Sequence, residues 1–194
     1  MEREDSEASE PRFLRKFSIS EVLNSHVFFV EILSLVGIVI ATASRPETVD
    51  WCKKFGADHV IDHKKELKPQ LERLGVKEGV DVIFCATEPK HTEKEWPSII
   101  KPFGKIVIVT GGHTVSTEPY VGMSVSIIHE GMFAKSTYGV NLESQGEILR
   151  QAAELVEKAI LLPTNNYQFP LDQVAKAHQL QDSGTAIGKI TLTF

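Results

Sequence analysis

Residues 37–63, GIVIATASRPETVDWCKKFGADHVIDH, constrain the fold more than any other part of the chain. They open with an apolar run rich in β-branched residues, pass Ser44 and Arg45 into an amphipathic stretch that begins at Pro46, and return through Gly56 and Ala57 to a second short apolar run. β-Branched side chains suit a strand buried on both faces, and proline at a first helical position suits the start of a helix. The pattern predicts one strand-helix-strand unit of a parallel sheet.

The same alternation continues. Strands are expected at 38–42, 58–62, 80–85 and 104–109, with helices at 46–55, 64–74 and 91–101 between them; Gly75, Gly79 and Gly104 fall where helices stop and strands begin. Strands and helices alternating at these lengths indicate an α/β fold whose parallel sheet is covered on both faces. After Gly112 the pattern changes. Residues 124–133, VSIIHEGMF with its preceding Ser124, read as a strand near an edge, and 141–160 as a long amphipathic helix with Ile148, Leu149, Ala152, Leu155, Val156 and Ala159 on one face. A helix at 171–183 and a closing strand at 189–194 complete the chain. At the other end, a polar tail leads into a helix expected at 20–36.

In an open sheet of this kind, ligands bind beyond the carboxyl ends of the strands, and the residues after the second strand meet the adenine ribose of a dinucleotide. An acidic residue there would suit the free 2′-hydroxyl of NAD. This chain carries Ser44 and Arg45 instead, a hydroxyl beside a planar, charged donor, which favours the 2′-phosphate of NADP(H). A plainer reading has Ser44 capping the helix at Pro46, with Glu47 and Asp50 complementing its dipole and Arg45 left free; both readings hold together. Two further strand ends, with Thr87 after Cys85 and with Thr110 and Gly111 after Val109, offer small residues and hydroxyls to a ribose and nicotinamide, although Gly111 and Gly112 alone would read simply as a turn. A G-x-G-x-x-G loop, which would cradle the pyrophosphate on backbone N–H groups, is not found: no glycine precedes Gly37. The first strand and its glycine loop are therefore expected to be missing, and dinucleotide binding to be weak.

Composition excludes several classes. With 194 residues, 42% of them hydrophobic and 24% charged, the chain can build one sizeable core. A net charge of -5 without a clustered basic face argues against nucleic acid. Two cysteines, Cys52 and Cys85, give no disulfide framework and fit a reducing compartment, and the acidic start resembles neither a secretory signal nor a transit peptide, so a cytoplasmic setting is expected. Residues 27–43 carry one charge, Glu31, and are near the lower length limit for a membrane span; the cost of that charge and the β-branched run after Gly37 favour a buried strand, with a membrane anchor kept as an alternative. The cysteines and scattered histidines do not supply a zinc site, and His59 and His63 on a strand do not share a face as a helical pair would, so no metal is expected. No catalytic residue is assigned; Tyr120 and Tyr138 are candidate donors for which packing is the commoner role.

The runs ATASRPETVDWCKKFGADHVIDH, GVDVIFCAT, IIKPFGKIVIV and FPLDQVAKAHQLQDSGTAIGKITL resemble the medium-chain dehydrogenase/reductase superfamily, in particular its zinc-type alcohol dehydrogenase-like and NADPH:quinone reductase members. The likeness covers residues 33–194, the nucleotide-binding half. It implies a Rossmann-like α/β fold lacking its first strand and glycine-rich loop, with a helix-strand closure at 160–194, behind an acidic disordered tail at 1–19; the family's GroES-like catalytic domain has no counterpart, so the chain reads as truncated. It also implies that Ser44 and Arg45 hold the 2′-phosphate, that His63 lies beside the adenosine, and that Thr87, Thr110 and Gly111 face the nicotinamide ribose. The activity implied is NADPH-dependent reduction of a quinone, enone or carbonyl by hydride transfer. The alternatives are a non-catalytic remnant that binds nucleotide weakly or associates with a full-length relative, and the membrane-anchored variant. The family's habit of pairing edge strands makes 124–133 a candidate contact for a homodimer or a relative.

Overall fold

The computed structural model describes residues 15–20, 37–87, 92–111 and 114–194. Its main sheet is built from β1 (Arg15–Ser20), β2 (Gly37–Thr42), β3 (His59–Ile61), β4 (Val80–Cys85), β5 (Ile100–Ile108) and β6 (Ser126–His129), in the order β3-β2-β1-β4-β5-β6. Every pairing is parallel. This is the doubly wound strand order of dinucleotide-binding sheets, and the α/β, Rossmann-like expectation holds.

One part of that expectation is corrected: the first strand is present. β1 pairs with β2 on one side and β4 on the other and so fills the centre of the sheet. Its sequence, RKFSIS, conceals it, because a central parallel strand is usually a continuous apolar run, whereas here only Phe17 and Ile19 are strongly apolar. The disordered tail expected to reach residue 19 accordingly gives way to strand at Arg15. Ser20, where a helix to residue 36 is expected to begin, is the last residue of β1; the rest of that tail and residues 21–36 lie outside the described residues. What does hold from the sequence is that no glycine stands between β1 and β2.

The membrane-anchored alternative is also corrected. Gly37–Thr42, the second part of the 27–43 run, is β2, hydrogen-bonded between β1 and β3. A strand inside a six-stranded sheet cannot be half of a spanning helix. Residues 27–36 lie outside the described residues, and among those described no helix is long and apolar enough to cross a membrane.

Helices α1 (Pro46–Lys54), α2 (Leu67–Arg73) and α3 (Trp96–Ile99) connect the strands. Strand alternation sends Val39, Ala41, Phe84 and Ala86 to one face, where Cys52 of α1 and Phe55 cover them. It sends Ile40, Ile83, Ile106 and Ile108 to the other, where Leu67 and Leu71 of α2 and Trp96 and Ile99 of α3 pack. The division follows from right-handed crossovers: β2 to β3 runs outward in one direction and β3 to β4 returns in the other, so their helices take opposite faces. Phe55 and Trp96 are 0% and 1% exposed. Burial of this kind contributes roughly 1.5 to 3 kcal/mol per large apolar side chain.

The helix expected at 91–101 shrinks to α3, because Pro102 disfavours helical backbone at Lys101. β5 starts at Ile100, pairs with Val80, and shifts register before Lys105 meets Val82. Gly104 is therefore inside β5 rather than at a helix end, and it follows Phe103, which is 79% exposed at φ +62. A side chain at Gly104 would meet Ile100 at 2.7 Å.

Beyond β5, a 3-10 turn (Glu118–Met123), α4 (Ala134–Tyr138) and α5 (Glu143–Glu157) flank the edge strand β6. The expected edge strand and long helix are both found. The chain closes with β7 (Asn165–Pro170), a 3-10 turn at Leu171–Gln173, α6 (Val174–Asp182) and β8 (Lys189–Thr193). β7 and β8 form a separate two-stranded parallel sheet. The closing strand was legible in the sequence; its partner β7, NNYQFP, was not.

Candidate functional site

The strand order reverses between β1 and β4: the chain moves outward through β1, β2 and β3, then returns to β4 and continues outward through β5 and β6. The crevice for a ligand in such a sheet lies beyond the carboxyl ends at this switch point. The register places those ends side by side, with Ile19 opposite Ala41 and Ser20 opposite Cys85. Ser44, Arg45 and His63 follow β2 and β3 on one side of β1. Thr87, Thr110 and Gly111 follow β4 and β5 on the other. The six residues thus share one rim of the sheet in two groups.

In the first group, the helix cap differs from the sequence expectation. Arg45, with φ -104 and ψ 141, is the residue at the N-cap of α1, not Ser44. Thr48 closes the first turn, its hydroxyl donating to the Arg45 carbonyl at 2.8 Å and accepting the Arg45 N–H at 3.3 Å. Arginine offers no acceptor to the first-turn N–H groups, and Thr48, at N3, bonds back to the cap residue as the N3 member of a capping box does. Nor is the Arg45 side chain free. Its Nη1 donates to the Thr185 carbonyl at 3.4 Å, and its Nη2 is buried with no hydrogen-bond partner among the described residues. No local pattern in the sequence pairs positions so far apart.

His63 is half-buried in the turn after β3. Gln70 of α2 braces that turn, accepting the Asp62 N–H at 2.8 Å and donating to the Asp62 carbonyl at 2.9 Å. The Asp62 carboxylate accepts the Lys64 N–H at 2.9 Å, and that bond, ahead of the nearby Lys65, holds its pKa below the usual range.

In the second group, Thr87 and Thr110 meet directly. Thr110 Oγ1 donates to the Thr87 carbonyl at 3.2 Å, and the Cys85 thiol donates to the same oxygen at 3.1 Å. Thr110 and Gly111 line an open cavity of about 510 Å³. Its far wall, which sequence reasoning did not assign to a site, comes from the end of β6, the turn after it and α4: His129, Met132, Phe133 and Tyr138. The signal available for it was the edge-strand pattern at 124–133, since a strand next to β5 must end beside Thr110. Tyr138 is 80% exposed there, whereas Tyr120 is 4% exposed in the core, its hydroxyl pushed to higher pKa by burial and then by Glu93. Of the two tyrosines, only Tyr138 borders the cavity.

Comparison with known proteins agrees with this architecture. A family model described as zinc-binding dehydrogenase matches residues 55–192. The chain is 32% identical over 159 residues to a zinc-type alcohol dehydrogenase-like protein of Staphylococcus epidermidis, a match covering 79% of this chain and 47% of that protein. The chain thus spans about half the length of the curated relatives it matches. Among solved structures, a Rhizobium etli protein described as a zinc-dependent alcohol dehydrogenase superposes with TM-score 0.83 at 31% identity, covering 92% of this chain and 54% of the other. Escherichia coli quinone oxidoreductase, solved as a complex with NADPH, shares the fold at TM-score 0.76 and 14% identity, covering 93% and 57%.

The family name implies zinc, and the donor set here does not fit it. Among the described residues no three His, Cys, Asp or Glu side chains stand together, whereas a zinc site takes three or four such ligands. Cys52 is buried on α1, its thiol pushed up to about 11 by burial, and Cys85 is buried at the end of β4. The chain belongs to the zinc-binding dehydrogenase family of the medium-chain dehydrogenase/reductase superfamily and carries its nucleotide-binding half.

Proposed function

We propose that this chain is the nucleotide-binding part of an NADPH-dependent oxidoreductase that reduces a quinone, enone or carbonyl. The observation that carries the reading is the doubly wound sheet with Ser44 and Arg45 at the end of its second strand. The guanidinium supplies charge-assisted donors to a 2′-phosphate, and the Ser44 hydroxyl a further one. His63 flanks the adenine. Thr87, Thr110 and Gly111 hold the nicotinamide ribose at the ends of β4 and β5, and the cavity beside Thr110 receives the small carbonyl or quinone. Bound nicotinamide supplies the hydride; the chain's own residues bind and orient it. The setting is cytoplasmic.

The connection from β1 to β2 contains no glycine, so the pyrophosphate lacks the close backbone approach that glycines allow. Binding is accordingly weak. The test is a titration of the folded chain with NADPH and NADH, followed by nucleotide fluorescence, alongside Arg45→Ala. A preference for NADPH that falls in the variant by about tenfold or more supports the reading, on the scale of a hydrogen bond to a charged group. Equal affinity for both nucleotides in the wild type would defeat it.

A second reading is favoured by a separate observation. β6 is the last strand of the sheet, and Met132 and Phe133 just beyond it are 75% and 71% exposed. An open edge beside exposed apolar side chains suits pairing with a second copy or a relative. Sedimentation that finds only monomer across micromolar concentrations, with and without a full-length relative, removes it.

A further inference from the structure

This inference rests on the nucleotide reading above and concerns what holds Arg45 in place. The guanidinium is met by a strap, residues 183–188, that joins α6 to β8. Nη1 of Arg45 donates to the Thr185 carbonyl at 3.4 Å, and Nη2 is covered, with no hydrogen-bond partner among the described residues. One arm of the rigid fork is thus hydrogen-bonded to the strap, and the other is enclosed by the protein, before any ligand arrives.

The strap is stiff for reasons internal to it. Ser183 Oγ lies 2.6 Å from Thr185 Oγ1 and accepts the Thr185 N–H at 3.1 Å. Ala186 has no exposure, and the Ile187 N–H donates to the Tyr167 hydroxyl at 3.4 Å. Its far end is seated on the helix that Arg45 caps. Gly188, at φ +79, packs so closely there that a Cβ would overlap the Thr164 carbonyl oxygen and stand 3.0 Å from Trp51 Cζ2. Trp51 in turn rests on the buried ring of Phe55, with centroids 4.5 Å apart. Only glycine fits both the backbone angle and the space.

We propose that the strap 183–188 is the positioning element for phosphate discrimination, with Gly188 as its anchor. By fixing the Thr185 carbonyl against α1, it holds the Arg45 guanidinium at the end of β2. An arginine that is already ordered loses less side-chain freedom when it takes a phosphate monoester, so its charge counts more fully toward affinity. NADH, which has no 2′-phosphate, does not draw on this ordering. The C-terminal unit, remote in sequence from the β2 end, thereby sets which nucleotide is preferred.

The test measures affinities for NADPH and NADH in wild type, Arg45→Ala, Gly188→Ala and the double variant, with far-ultraviolet circular dichroism and a thermal melt confirming that each is folded. Ser183→Ala, which loosens the strap without a clash, stands in if Gly188→Ala does not fold. The expected result is that loosening the strap lowers the NADPH preference by about three- to tenfold and leaves NADH affinity unchanged, and that the same change adds nothing once Arg45 is gone. A strap variant that keeps the wild-type preference while Arg45→Ala loses it overturns the strap proposal and leaves the nucleotide reading standing. So does a strap variant that weakens both nucleotides equally, the result of a merely structural role. If Arg45→Ala itself leaves the preference unchanged, the reading of Arg45 fails and the strap proposal fails with it.

Discussion

Replacing Gly79 by alanine should destabilise this fold far more than the same change at Gly75, although the two glycines bracket the same short turn between α2 and β4. Gly75 has φ +80 and Gly79 φ +93, so both hold left-handed backbone, which costs an L-residue roughly 1 to 2 kcal/mol. Part of that cost is offset, because alanine also narrows the unfolded ensemble by about 0.4 to 1 kcal/mol. At Gly75 nothing lies within 4 Å of the methyl that alanine would add, so the net loss should be about 1 kcal/mol or less. At Gly79 the methyl would stand 2.5 Å from the Ile99 carbonyl oxygen and 3.0 Å from its carbon. Those are backbone atoms at the junction of α3 and β5, and they cannot yield without disturbing the pairing of Val80 with Ile100. Forcing extra atoms into a packed site costs roughly 1 to 3 kcal/mol, which raises the total for Gly79→Ala to about 1 to 4 kcal/mol. For a chain of this size that corresponds to a fall in melting temperature on the order of 2 to 16 °C. Urea unfolding of both variants, read at equal denaturant slope, measures the difference. If the two variants lie within about 0.5 kcal/mol of each other, comparable to the error of such extrapolations, the close approach of Gly79 to Ile99 is refuted.

Two further predictions test other parts of the account. Cys52 has its thiol raised by burial to about 11 from an ordinary value of 9.0; a raised pKa contributes stability that is complete below pH 9 and is lost as pH climbs toward 11. Wild-type stability should therefore fall over that alkaline window, the fall should shrink in Cys52→Ala after correction for its own baseline, and native protein at pH 7 should resist iodoacetamide at this position. Thr110→Val removes the donor to the Thr87 carbonyl and should weaken binding of NADPH and NADH alike, by about five- to tenfold on the scale of one hydrogen bond; a change in preference between them, measured by the same titration, would speak against its place on the nicotinamide side.

Much of the fold could be read in the sequence wherever burial imposes a period. VDVIFC became β4 with the boundaries expected, because a strand covered on both faces is a nearly continuous apolar run, here broken only by Asp81. RKFSIS did not announce β1: its central place in the sheet is decided by pairing with β2 and β4, which are distant in sequence, and its polar residues outweigh Phe17 and Ile19 in any local window. NNYQFP was hidden for a similar reason, since β7 is largely exposed and pairs only with β8 in its small sheet. At the site, the hydroxyls and glycine after the strands were legible because strand ends are where such residues gather. The Arg45 to Thr185 contact was not, because only the tertiary fold brings the strap over α1. The same holds for the cavity wall of His129, Phe133 and Tyr138, which belongs to the site only because β6 lies beside β5.

The measurement that bears most directly on the central claim is a map of backbone amide shifts in the isotopically labelled chain as NADPH is added. A ligand in the crevice at the switch point should move Ser44, Arg45 and His63 on one side of β1 and Thr87, Thr110 and Gly111 on the other, in a single saturable step. Shifts confined to α6 and β8, or to one group without the other at saturation, would contradict a dinucleotide lying across the carboxyl ends of this sheet.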